Sequence, residues 1–226
     1  MNGVLLIVFA KAPQPGLAKT RLIPALGEQG AAALARRMLQ ETLASAVAAD
    51  LGQLQLCLTP APTDPAWRGQ VWPAGTILQN QGEGDLGQRM LRAFEQGLLH
   101  AGAVILIGTD CPQLQPQLLR DAAQALQTHD AVLYPTSDGG YVLLGLRRTD
   151  PRVFADIAWS SASVAETTRL RIRELGWSLY EGPLLHDIDT EVDLPRVPQH
   201  WLPSGQPANL GGAGASTASH CHVTEE

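Results

Sequence analysis

Two short runs constrain this chain more than anything else in it. VLLIVFA at residues 4–10 and AVILIG at 103–108 are apolar at successive positions. Alternate strand residues face opposite sides of a sheet, so such runs belong to strands covered on both faces. Helical segments lie between and after them. EQGAAALARRMLQETLASAVAA, 28–49, carries Leu34, Met38, Leu39, Thr42, Leu43, Ala46 and Val47 at helical spacing. The same period returns over 86–99 and 163–175, and QPQLLRDAAQALQ, 115–127, places Pro116 in a permissive first turn. LQLCLTP (54–60), Ile77–Leu78, DAVLYPT (130–136), YVLLGL (141–146) and WSLY (177–180) read as further strands. Helices recurring between strands predict a layered α/β fold with a mostly parallel sheet flanked by helices. The turn-prone SDGG between DAVLYPT and YVLLGL predicts an antiparallel pair, hence a mixed sheet.

A chain of 226 residues can bury one substantial core. The expected organisation is a single nucleotide-binding domain over 1–197, followed by a flexible tail over 198–226, where Pro, Gly, Ser, Thr and Ala dominate. HCH at 220–222 lacks the separated partners of a closed zinc site and reads as tail. The net charge of −6 offers no general attraction to nucleic acid, while leaving room for a local basic pocket that takes a small anion. Cys57, Cys111 and Cys221 make no disulfide framework. The amino-terminal run lacks a basic leader, and no run approaches the roughly 20 apolar residues of a membrane span, so a cytoplasmic protein without membrane contact is expected. The apolar patches serve either the core or a homodimer interface.

Chemistry concentrates where strands end. In FAKAPQPGLAKTRL, 9–22, Lys11 ends the first strand, Gly16 permits a tight path, and Lys19 and Arg21 are close enough to converge on one anion. Lysine supplies a mobile point charge and arginine a rigid fork, a pair suited to a triphosphate and its departing pyrophosphate. GLAKTR lacks the full P-loop spacing, and neither a GxSxG elbow nor a GxGxxG fingerprint occurs. In IGTDCP, 107–112, Asp110 leaves a buried strand and is either a Mg2+ ligand or a turn residue. In HDIDTEVDL, 186–194, extended backbone puts Asp187 and Asp189 on one face, with Thr190 and Asp193 forming a weak capping box. Asp187 is the second candidate ligand and Asp189 a lesser one. In QGEGDLGQRM, 81–90, Gly84 and Asp85 either meet the nucleotide or open a helix, with Asp85 as its cap. In TSDGGY, 136–141, Asp138 and the amides of Gly139 and Gly140 either contact the acceptor or form a hairpin turn. His129 reads as structural, His186 as a neighbour of the acids, and Trp67 and Trp72 as ligand-stacking or core-covering rings.

These motifs, in order over residues 4–194, resemble the uncharacterised bacterial GT-A-like transferases, sometimes called selenodomain-associated transferases. They are also similar to phospholactate and molybdenum-cofactor guanylyltransferases. The resemblance implies a nucleotide-diphospho-sugar transferase (GT-A-like) fold, in which Lys11, Gly16, Lys19 and Arg21 handle the triphosphate and Asp110 takes the position of the metal-binding acid. Glycosyltransferases of this fold carry D-x-D at that position, whereas this chain reads GTDCP. The expected reaction is therefore nucleotidyl transfer from a nucleoside triphosphate to a small phosphate or hydroxyl acceptor. Asp110 and Asp187 would hold Mg2+ (or Mn2+), and Lys19, Arg21 and Asp110 would act at the reacting phosphates. The alternatives are glycosyl transfer from a nucleotide-sugar donor and an inactive nucleotide-binding protein.

Overall fold

The computed structural model describes residues 3–202. The elements run β1 (Val4–Lys11), α1 (Ile23–Ala49), β2 (Gly52–Thr59), β3 (Ile77–Asn80), α2 (Leu86–Leu98), β4 (Ala103–Ile107), α3 (Pro116–Ala125), β5 (Ala131–Pro135), β6 (Tyr141–Leu146), α4 (Val164–Glu174) and β7 (Leu179–Glu181). One seven-stranded sheet holds them in the order β3-β2-β1-β4-β6-β5-β7. β1 pairs parallel with β2 and β4, β2 with β3, and β5 with β7. β6 is antiparallel to both of its neighbours, β4 and β5. Among the described residues six strands thus share one direction and β6 alone opposes them.

The two apolar runs become β1 and β4, adjacent at the centre of the sheet, with Ile7, Val8, Val104, Ile105 and Ile107 fully buried. Their alternate faces feed different cores. Leu6, Val8, Ile105 and Ile107 pack with Leu39 and Leu43 of α1 and with Leu119 and Ala122 of α3. Leu5, Ile7, Val104 and Leu106 pack with Met90 and Phe94 of α2 and with Ala165 and Ile172 of α4. Side-chain burial of this kind stabilises by about 1.5–3 kcal/mol per large residue, so these strands anchor the fold.

The helix expected from residue 28 starts earlier, at Ile23, with Gly27 (φ 68°, ψ 168°) interrupting its first turns. Trp67 is buried, donates Nε1–H to the Pro60 carbonyl at 2.9 Å, and packs against Trp72 with ring centroids 5.4 Å apart. These two rings cover the core, the second of the readings open from sequence. Gln199–Trp201 forms a short 3-10 turn, and Trp201 and Leu202 pack on a small core of Leu22, Leu34, Met38 and Val197. The remainder of the expected tail, 203–226, including the HCH run, lies outside the described residues. No helix among the described residues is long and apolar enough to cross a membrane.

Topology positions the site. Because β1, β4 and β5 run the same way, the loops that follow them emerge at one edge, and the β5–β6 turn falls there too. The chain leaves β1 through α1 to β2 on one side, while β4 on its other side leads away through α3 to β5, the kind of crevice in which open α/β sheets bind ligands. The segment after β7 returns to the same edge. Leu185 bridges Thr136, and the Ile188 amide donates to the Asp110 carbonyl at 2.9 Å.

Candidate active site

A cleft of about 700 Å³ opens at this edge. The β1 loop forms one wall. Leu17 and Ala18 donate backbone N–H to the Gln14 carbonyl, Gly16 takes φ 73°, and Lys19 sits in the left-handed region at φ 47°, ψ 47°. This curl turns the Lys19 side chain inward. Its Nζ lies 2.9 Å from Asp110 Oδ1 and 2.6 Å from Asp189 Oδ1, with only 8% of the side chain exposed. Burial alone would push the ammonium below its ordinary value, but Asp110 and Asp189 outweigh it and hold the pKa above that value. Lys11 Nζ donates to the Leu17 carbonyl at 3.0 Å, bracing the loop, and Arg21 stays exposed at the cleft mouth.

The acids form the floor. Asp110 follows β4, and the extended segment after β7 places Asp187 and Asp189 in the cleft with Ile188 buried between them, as alternation requires. Asp187 Oδ1 is buried without a hydrogen-bond partner. Burial, followed by the nearby charges of Asp110, Asp138 and Asp189, pushes its carboxyl up to about 7, against a smaller opposing pull from Lys19. An orphaned carboxylate oxygen facing further carboxylates suits a divalent cation. Among the described residues no three His, Cys, Asp or Glu side chains close into a metal cage. Magnesium accepts one or two carboxylates completed by water and phosphate oxygens, so the donor set here fits it.

The remaining expected residues divide. Asp138 lines the cleft, where its Oδ1 accepts from Thr136 Oγ1 at 2.6 Å and from the Gly140 amide at 3.0 Å. The Gly139 amide donates to the Thr136 carbonyl, so both glycine amides are spent inside the hairpin turn rather than offered to a ligand. Gly139 has φ 89°, and a Cβ there would collide with the Ala162 carbonyl, which fixes how closely the 159–162 loop approaches. Gly84 and Asp85 do not line the cleft; Leu86, the next residue, does. Asp85 accepts from the Gln88 amide at 2.8 Å while Gln88 Oε1 accepts from the Asp85 amide, a complete capping box on α2. His186 pairs Nδ1 with Ser137 Oγ at 2.8 Å, and His129 Nδ1 lies 3.1 Å from the Ala125 carbonyl.

Several lining residues have roles that local sequence does not show. Asp189 was legible as half of D-x-D, but its role as partner of Lys19 was not. Gln81 is buried and donates Nε2–H to the carbonyls of Ala10 and Cys57, tying the start of the 81–85 loop to the β1–β2 edge. Trp159, Ser160 and Ser161 complete the far wall from a connection without any motif.

Comparison with known proteins points to a transferase of this fold. Residues 42–161 match the family described as uncharacterized protein conserved in bacteria (DUF2064). The 3-phospho-D-glycerate guanylyltransferase of Phenylobacterium zucineum (strain HLK1) is 28% identical over 188 residues, which cover 80% of this chain and 84% of that protein. A crystal structure from Desulfovibrio desulfuricans G20, described as a nucleotide-diphospho-sugar transferase, is 32% identical with a TM-score of 0.78, covering 84% of each chain. The manganese complex of Rv0371C from Mycobacterium tuberculosis H37Rv shares the fold at 20% identity and a TM-score of 0.52, covering 86% of this chain and 97% of that one.

Proposed function

The chain belongs to the bacterial DUF2064 family, and we propose that it transfers a nucleotidyl group from a nucleoside triphosphate to a small acceptor, with release of pyrophosphate. It is a transferase with a GT-A-like fold, related to a guanylyltransferase and to a nucleotide-diphospho-sugar transferase. The observation that carries the reading is the opposition of charges across one cleft: Lys11, Lys19 and Arg21 on one wall face Asp110, Asp187 and Asp189 on the floor. A triphosphate needs both, cations for its outer oxygens and acids for the cation that travels with it.

In this reading Arg21 and Lys11 receive the β- and γ-phosphates as the donor enters. Lys19, held by two carboxylates, presents a fixed positive charge where negative charge grows on the leaving pyrophosphate. Asp110 and Asp187 would hold Mg2+ or Mn2+, which when bound neutralises phosphate charge and orients the oxygens around it. Gln81 holds the β2–β3 side of the pocket in place. Only positioned charges are invoked, and no covalent intermediate with the protein is required.

The test is thermal stability of the protein with ATP, GTP, CTP, UTP and matched nucleotide sugars, each with and without Mg2+ or Mn2+. A shift that requires both one triphosphate and the metal supports nucleotidyl transfer and names the base. The likeness to a nucleotide-diphospho-sugar transferase favours glycosyl transfer as the second reading. A selective shift with a nucleotide sugar would put that reading first.

A further inference from the structure

Most lysines and arginines of this chain are spent on partners, either paired with carboxylates or donating to backbone carbonyls. Among the described residues only Arg21, Arg36, Arg68 and Arg147 have cationic side chains with neither kind of partner. Arg21 stands at the mouth of the cleft. Arg36 and Arg68, from distant parts of the chain, line a second cavity of about 330 Å³. In a protein with a net charge of −6, two free arginines on one concave surface reverse the local sign.

The cavity lies between α1 and the loop that follows β2. Arg36 and Gln40 are four residues apart and therefore share one face of α1. The other wall is a closed turn: the Arg68 amide donates to the Pro65 carbonyl and the Gln70 amide to the Trp67 carbonyl, each at 3.0 Å, with Gly69 between them at φ 79°. Trp67, buried and bonded to the Pro60 carbonyl, anchors that turn in the core. Gln40, Gly69 and Gln70 line the cavity beside the arginines, and among the described residues the Gly69 backbone amide and the two side-chain amides have no hydrogen-bond partner. No acidic side chain lines it. The acids nearest in sequence are engaged elsewhere: Glu41 pairs with Arg37 at 2.7 Å, and Asp64 accepts from the Ala66 amide at 2.8 Å.

We propose that this cavity binds a small anion bearing a phosphate group, at a site separate from the donor cleft. Arginine forks take phosphate oxygens in pairs, and two forks match the near-double charge of a phosphate better than the single charge of a carboxylate. The free amides supply neutral donors for the remaining oxygens. The cavity stands near the lower end of the roughly 300–1,000 Å³ found for small-molecule sites, so the ligand is phosphate itself or a short phosphomonoester rather than a nucleotide. Pro13 of the β1 loop also lines this cavity, and Ala35, the residue before Arg36, lines the cleft. The two cavities thus flank the same loop and helix yet share no lining residue. The inference uses no residue of the cleft and is independent of the transferase reading.

The test is amide NMR of the full chain, free of divalent metal, titrated with inorganic phosphate and with glycerol 3-phosphate, against sodium chloride and glycerol at matched ionic strength. Saturable shifts are expected at the Gly69 and Gln70 backbone amides and at the Gln40 and Gln70 side-chain amides, with either phosphate compound and with neither control. Equal affinity for the two compounds makes free phosphate the ligand, and affinity for glycerol 3-phosphate higher by about tenfold or more makes it a phosphomonoester. Arg36→Gln and Arg68→Gln should each weaken binding at least about fivefold. Both side chains are exposed, so Tm should stay within about 1–2 °C, which separates lost binding from lost folding. Arg21→Ala, which alters only the cleft, should leave these shifts in place. Shifts confined to the cleft, shifts that chloride reproduces, shifts abolished by Arg21→Ala, or affinity unchanged in both arginine variants would each overturn the proposal.

Discussion

Lys19 Nζ and Asp189 Oδ1 lie 2.6 Å apart although 170 positions separate them in the chain. This ion pair joins the β1 loop to the segment after β7, and its second arm to Asp110 draws in the end of β4. Lys19→Met would leave two carboxylates facing each other without their cation. Since the acids keep 47% and 38% exposure, the stability cost is near the low end for a broken pair, about 1–2 kcal/mol. Triphosphate affinity should fall at least about tenfold. Urea unfolding and calorimetric titration read the two effects separately; an unchanged affinity would remove Lys19 from the donor site.

Asp187 gives the protein a pH dependence of definite sign. Its carboxyl is raised to about 7 when folded, against about 4 when unfolded, so between those values the native state binds the extra proton. Stability of the metal-free protein should therefore decline as pH rises from about 4 to about 7 and stay low above that. Asp187→Asn should flatten the decline and stabilise the metal-free protein at pH 8 by on the order of 1–2 kcal/mol. It should also lose most of the stabilisation that Mg2+ and a triphosphate confer together. A variant that retains that stabilisation would contradict the assignment of Asp187 to the cation.

Asp85 separates a cap from a base contact. Its side chain is engaged with Gln88 at the start of α2 and does not line the cleft. Asp85→Ala should cost about 1 kcal/mol, a fall of about 2–4 °C in Tm, with triphosphate affinity unchanged. A loss of affinity larger than the loss of stability would return Asp85 to the nucleotide site.

Gly139 holds two loops at backbone contact. With φ 89° and the Ala162 carbonyl directly in the path of a Cβ, Gly139→Ala is strained in both conformation and space. A destabilisation of about 2–4 kcal/mol is expected. Because the displaced loop carries Trp159, Ser160 and Ser161 of the cleft's far wall, turnover should fall by more than the loss of stability alone explains, which steady-state kinetics read beside urea unfolding.

Arg21 is exposed at the cleft mouth with a free guanidinium fork. Arg21→Ala should leave Tm within about 1–2 °C while weakening triphosphate binding roughly five- to fiftyfold, and Arg21→Lys should restore only part of it. Calorimetric titration of both variants checks this.

The sequence by itself determined the scaffold. Doubly apolar runs admit only covered strands, so VLLIVFA and AVILIG had to lie inside the sheet, and the 3.6-residue period of 28–49 had to supply a covering helix. It also carried the local alternatives at Asp85, since the cap pattern D-x-x-Q is readable within four residues. Local signals of this sort depend on neighbours a turn or a pleat away.

Only the tertiary structure decided who meets whom. Nothing near position 19 specifies that its ammonium will be buried between residues 110 and 189; that follows from β1 and β4 being adjacent and parallel while the chain after β7 returns along β5. The Gly139 and Gly140 amides looked available because a glycine pair can either bind or turn, and the hairpin's own hydrogen bonds chose the turn. Trp159 and the serines beside it acquired a place in the cleft solely by packing against α2 and the β5–β6 turn. Charge and hydrogen-bonding capacity belong to the residue, but the distances over which they act are fixed by contacts between segments far apart in the chain, and those distances decide the chemistry.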